Sequence, residues 1–143
     1  MKYRIGVAGI LALGLAVSAV ADSAVPPDVQ QWIQARYPSS ARKRAALQQL
    51  AGDVAALFSG QPTRETAFRV LTSARCIHAM IPDIHEAREA TDELHARLLS
   101  VPEFKRGAER ARGQNEFKLS LPEAGAKKAP VTDCRFDPAQ LAD

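Results

Sequence analysis

Three groups of side chains in this 143-residue chain have types that could do chemistry. Cys76-Ile77-His78-Ala79-Met80 sets a thiol, an imidazole and a thioether at alternate positions. On a strand these would share one face and resemble a copper site. On a helix Cys76 and Met80 lie together while His78 points almost opposite, and the surrounding apolar spacing is helical. His78, His85, Glu89 and Asp92 survive that reading, because steps of seven, four and three keep them roughly along one helical stripe. Imidazoles and carboxylates so arranged suit a divalent metal or a pH-sensitive contact. The plainer reading is a solvated face opposite an apolar one.

Other chemistry is harder to find. His85-Glu86-Ala87-Arg88-Glu89 starts like the zinc-protease sequence H-E-x-x-H, but Glu89 stands where the second imidazole must be. There is no G-x-S-x-G elbow and no glycine-rich phosphate loop after a strand. Asp92-Glu93-Leu94-His95 supplies one carboxylate-x-x-His motif, and a di-iron bundle needs two. The expectation is a protein without enzymatic activity and without a cofactor.

Cys76 and Cys134 are the only two cysteines. They form no C-x-x-C, and an isolated pair in an oxidising compartment most simply makes a structural disulfide. That bridge closes a loop of 58 positions; by the chain-entropy argument it stabilises the fold by about 4 kcal/mol.

The third group is basic: Arg36, Arg42, Lys43 and Arg44. The last three fall in the first turn of an expected helix, where the helix dipole disfavours cations. A local rule broken in this way can mark a binding surface, here for an acidic partner or an anionic envelope polymer. The competing readings are that the helix begins later, or that acids from the 83–93 stretch neutralise the cluster. Trp32 and Tyr37 lie close by in sequence, and a lone Trp in a small helical domain is more often core than interface anchor.

The elements that must position these groups are mostly helical. After Val25-Pro26-Pro27, residues Val29, Trp32, Ile33 and Tyr37 recur at helical spacing until Pro38. Ser39 or Ser40 can cap a second segment carrying Leu47, Leu50, Val54 and Leu57, stopped by Gly60 and Pro62. Thr63 is a good N-cap for a third, with Glu65 in its first turn. From Ala67 the apolar steps run through Val70, Ala74, Ile77, Ile81, Ile84, Ala87, Thr91, Leu94 and Leu98 without losing phase at Pro82. That predicts one long helix kinked near Pro82, or two nearly collinear ones. Ser100-Val101-Pro102-Glu103 matches a capping box before a shorter helix holding Phe104, Ala108 and Ala111.

Beyond Gly113 the pattern changes. Residues 117–121 alternate with period two, 122–130 read as a flexible linker, and 131–136 carry Cys134 and could pair with 117–121 as a hairpin. The expected fold is mostly α: a bundle of three to four helices over 22–116, with an extended tail over 117–143 tied down by Cys134.

Residues 1–21 belong to neither part. Lys2 and Arg4 precede an uncharged apolar run from Ile5 to Val17, and Ser18-Ala19-Val20-Ala21 ends in the small-x-small pattern of a secretory cleavage site. A signal peptide cleaved after Ala21 is expected. The run is short and glycine-interrupted for a spanning helix, so no stable membrane insertion is expected after cleavage. Removing Lys2 and Arg4 from 19 basic residues leaves 17 against 16 acids, which gives no support to a nucleic-acid partner. A composition rich in Ala, with Arg well above Lys, suits a bacterial periplasm.

No motif ties the chain to a family. In size, architecture and compartment it is similar to small disulfide-stapled helical proteins that bind other envelope proteins, among them periplasmic immunity proteins that neutralise cell-wall-degrading toxins. That likeness implies a secreted protein-binding module, an inhibitor, immunity or accessory protein whose partner is another envelope or secreted protein. The alternative is a periplasmic metal-binding protein using the His78, His85, Glu89 and Asp92 stripe.

Overall fold

The computed structural model describes residues 25–60, 62–113 and 133–143. The expected signal peptide, the alternating segment 117–121 and the linker 122–130 lie outside the described residues. Of 131–136, residues 133–136 are described, and they form a bent segment rather than a strand.

Among the described residues five α-helices follow one another: α1 (Pro27–Arg36), α2 (Ala41–Ser59), α3 (Arg64–Met80), α4 (Ile84–Leu99) and α5 (Pro102–Gly113). Their ends follow from local chemistry. Pro27 opens α1, where its missing N–H costs nothing. The Ser40 hydroxyl accepts the Lys43 amide at the start of α2. Thr63 and Thr66 exchange side-chain and backbone hydrogen bonds to box the start of α3. The Ser100 hydroxyl, expected to open α5, instead donates to the Arg97 carbonyl and closes α4.

The count exceeds the expected three to four because the kinked helix is two helices. Pro82 has no N–H to continue the ladder, and its ring drives the preceding residue out of helical geometry. Ile81 accordingly sits at φ −120°, ψ 89°. The Asp83 carboxylate then accepts the amides of His85 and Glu86 at 2.8 and 2.9 Å and starts α4 afresh. The apolar stripe resumes in phase after the break, with one exception. Ile84, placed on the inner stripe by sequence, is 53% exposed, while Ala87, Ala90, Leu94 and Leu98 face inward.

The helix α2 touches all four others. Its buried Leu47, Leu50 and Val54 meet Val29 and Ile33 of α1, Ile77 of α3, Leu94 and Leu98 of α4 and Phe104 of α5 in one core. Against α5 the approach is backbone to backbone. A Cβ on Gly107 would lie 1.7 Å from the Phe58 carbonyl oxygen, so only glycine permits that crossing.

The Cys76–Cys134 disulfide forms, with Cα atoms 4.9 Å apart. It fixes the tail to the side of α3. From there the chain passes through a short 3-10 turn at Pro138–Gln140 and reaches the N-terminal end of α2.

Candidate functional site

The four predicted contact cations lie around the α1–α2 corner, and each is engaged within the chain. Arg36, in the last turn of α1, reaches across to α4, with 2.8 Å to Glu93 and 3.5 Å to Glu89. Lys43 pairs with Glu86 at 2.9 Å. Arg44 donates to the carbonyls of Tyr37 and Pro38 at 2.6 and 2.8 Å, tying the α1–α2 turn to the helix that follows. Arg42 turns the other way, to the tail. Its Nε donates to the carbonyls of Pro138 and Leu141 at 2.7 and 3.0 Å, and its Nη1 meets the Asp143 carboxylate at 2.9 Å.

This answers the dipole objection raised by the sequence. The first turn of α2 holds no acid of its own. Glu86 of α4 and Asp143 of the tail bring carboxylates to it from outside. The Ser40 hydroxyl donates to Asp143 Oδ1, and the Ala41 amide, unsatisfied by its own helix, donates to the Ala142 carbonyl at 3.0 Å.

Aromatic rings fill the spaces between the charges. The Arg36 guanidinium lies 5.8 Å from the centroids of both Trp32 and Tyr37, Arg97 lies 5.0 Å from Trp32, and Lys43 lies 5.1 Å from Tyr37. Trp32 packs against the core while one side of its indole meets these cations. Electrostatics follow the contacts. Lys43 holds Glu86 below the usual carboxylate range, and Arg97, with Arg36, does the same to Glu93. Burial opposes the Arg36 charge, but Tyr37, Glu93 and Glu89 outweigh it and raise its pKa. Burial, aided by the nearby Glu86 carboxylate, pushes the Tyr37 phenol up. The interhelical cluster is a brace between α1, α2 and α4.

The histidine stripe is divided by the break at Pro82. His78 belongs to α3, while His85, Glu89 and Asp92 belong to α4, and all four are exposed. Glu89 faces Arg36. Among the described residues, no group of three or more His, Cys, Asp or Glu side chains is placed to hold a metal ion. His95 is the more enclosed imidazole, and burial lowers its pKa.

A second polar cluster was not read from sequence at all. Asp53 of α2 is buried, accepts a short hydrogen bond from the Ser73 hydroxyl of α3, and pairs with Arg135 of the tail at 2.8 Å. Gln49 completes the join. Its amide NH2 donates to Ser73 Oγ and to the Asp133 carbonyl, and its Oε1 accepts the Arg135 amide at 2.7 Å. Arg75 pairs with Asp133 at 2.9 Å. One signal was available: Asp53 falls in phase with Ala46, Leu50 and Leu57 on the inner face of α2, where an uncompensated carboxylate is costly.

No family model matches the chain, and no curated protein or solved structure matches it either. Among the described residues, no helix is long and apolar enough to cross a membrane.

Proposed function

We propose that this protein is a secreted, non-enzymatic protein-binding module of the bacterial periplasm: an inhibitor, immunity protein or accessory subunit of an envelope assembly. The observation that carries the reading is the bracing of the helical body. A disulfide, an ion pair between the buried Asp53 and the exposed Arg135, and the α1–α4 ion pairs join elements far apart in sequence. A surface held in one shape before binding loses less entropy when a partner docks, which favours affinity. The disulfide also suits an oxidising compartment, in keeping with the signal-like residues 1–21.

The test is to produce the full precursor in a bacterial host with an active secretion pathway, crosslink in the periplasm, and identify what co-purifies. The expected results are a mature chain starting at Asp22 and one stoichiometric envelope or secreted protein. Retention of residues 1–21, or turnover of a peptidoglycan or peptide substrate by the purified chain, overturns the reading.

A further inference from the structure

We propose that the polar residues around Cys134 guide its own disulfide: Gln49, Asp53 and Arg75 seat residues 133–135 on the α2–α3 seam while both cysteines are still thiols, and oxidation then locks the seat. This is independent of what the protein binds.

The receiving surface is built without the tail. Gln49 and Asp53 belong to α2, Ser73 and Arg75 to α3, and α3 packs on α2. The Ser73 hydroxyl donates to the Asp53 carboxylate and accepts from the Gln49 amide at 3.0 Å. Those bonds aim the carboxylate and the carboxamide before the tail arrives. Asp53 is only 6% exposed. A buried carboxylate without a cation is costly, so it favours the arrangement that supplies one.

The tail is gripped on both sides of Cys134. Before it, the Asp133 carbonyl accepts from Gln49 Nε2 at 3.2 Å, and the Asp133 carboxylate meets Arg75 Nε at 2.9 Å. After it, the Arg135 amide donates to Gln49 Oε1 at 2.7 Å, and the Arg135 guanidinium meets Asp53 Oδ2 at 2.8 Å. A single carboxamide thus spans Cys134 by bonding the residues that flank it. Arg75 directly precedes Cys76, so the same contacts set the two cysteines opposite each other. None of them involves a sulfur atom. Without such a seat, thiols 58 positions apart must meet from a wide ensemble.

The two thiols differ in reach, which orders the chemistry. Cys76 is fully buried and Cys134 is partly exposed. The Cys134 thiolate attacks a small disulfide such as oxidised glutathione, releasing one glutathione thiolate and keeping the other joined to Cys134. The Cys76 thiolate then displaces that second glutathione and forms the Cys76–Cys134 bond. Two electrons pass to the oxidant, and the protons lost by the protein thiols end on the glutathiones.

The experiment brings the full chain to equilibrium in glutathione redox buffers and reads the effective concentration of the thiol pair from the fraction oxidised. Circular dichroism follows the folding of each reduced chain. Arg135→Ala and Gln49→Ala should each lower the effective concentration by about ten-fold, and Arg135→Lys, which keeps a cation, by less. Arg42→Ala, which frees only the far end of the tail, and Glu93→Gln, which weakens the body elsewhere, should leave it within about two-fold. A second readout needs no disulfide. In a Cys134→Ala chain iodoacetamide should label Cys76 slowly, and adding Arg135→Ala should quicken labelling about five-fold by unseating the neighbouring segment. Adding Glu93→Gln instead should not. The proposal is overturned if Arg135→Ala and Gln49→Ala leave the effective concentration unchanged, or if Glu93→Gln lowers it as much as they do. Equal labelling of Cys76 with and without Arg135→Ala also overturns it. So does a reduced parent chain that unfolds outright, because no seat then precedes the bond.

Discussion

The tail is attached to the helical body at two places, and the two attachments are built differently. At the α2–α3 seam Cys134 is bonded to Cys76, and Arg135 meets an Asp53 carboxylate that is only 7% exposed. At the tip of α2, Arg42 makes more hydrogen bonds, but its carboxylate partner is largely in water. The number of contacts and the strength of an attachment therefore diverge. A buried carboxylate cannot return to solvent when its cation is lost, and an exposed one can. The first attachment is an anchor and the second a latch. The α1–α4 brace is the intermediate case, with Glu93 34% exposed between Arg36 and Arg97.

The largest expected effect comes from removing the covalent anchor. Cys76→Ala with Cys134→Ala should lower stability by about 4 kcal/mol, measured by denaturant unfolding of the parent and the double variant. A loss below about 1 kcal/mol would mean that the polar contacts alone fix the tail, and the distinction between anchor and latch would lose its main support.

Next comes Arg135→Ala, expected to cost about 2 kcal/mol because it leaves the Asp53 charge with the Ser73 hydroxyl and no cation. Combining it with Asp53→Asn should recover part of that loss. A double variant no more stable than Arg135→Ala would show that burial of the Asp53 charge is not what makes this attachment strong.

These two clusters were unequally legible in the sequence. The Cys pair was plain, since two cysteines allow one pairing. The helices were plain too, because apolar spacing and caps such as Thr63 are local. The break between α3 and α4 was also written locally, in Pro82 followed by Asp83, but the unbroken apolar phase through Ile84 masked it. Asp53, Ser73 and Arg135 were out of reach for a different reason. They are 20 and 62 positions apart, and only the packing of α2 on α3 with the returning tail brings them together. The basic cluster was noticed for a sound reason, its clash with the helix dipole. Its resolution needed Glu86 and Asp143, which arrive from α4 and the tail.

The brace should respond to pH in a way that neither tail attachment requires. Arg97 and Arg36 hold the Glu93 pKa below its ordinary 4.5. A carboxylate with a depressed folded-state pKa contributes stability that is present above its unfolded value and is lost as pH falls through the folded one. Glu93→Gln should therefore cost about 1 kcal/mol at neutral pH, and the gap between variant and parent should close below pH 4.5. His95 adds a second slope. Burial lowers its pKa from 6.5, so the unfolded chain takes up the proton first and stability declines as pH drops below that value. His95→Gln should flatten this portion of the curve; a slope there unchanged by the substitution would assign it to another group.

The smallest effect on stability should come from Arg42→Ala, and it tests the comparison most directly. The residue type matches Arg135, the same tail is held, and two carbonyls are bonded besides the carboxylate. Counting contacts ranks Arg42 above Arg135. Burial ranks it well below, because water can solvate Asp143 and both carbonyls once the guanidinium is gone. The expected cost is about 0.5 kcal/mol, several times smaller than that of Arg135→Ala. Amide hydrogen exchange should quicken at Ala41, whose N–H is held by the Ala142 carbonyl, and remain slow at Arg135, whose N–H is held by Gln49. Equal losses for the two arginines, or faster exchange at both amides, would make the tail one cooperative unit. It could then not leave the tip of α2 without releasing the buried anchor, and an exchangeable latch would be physically excluded.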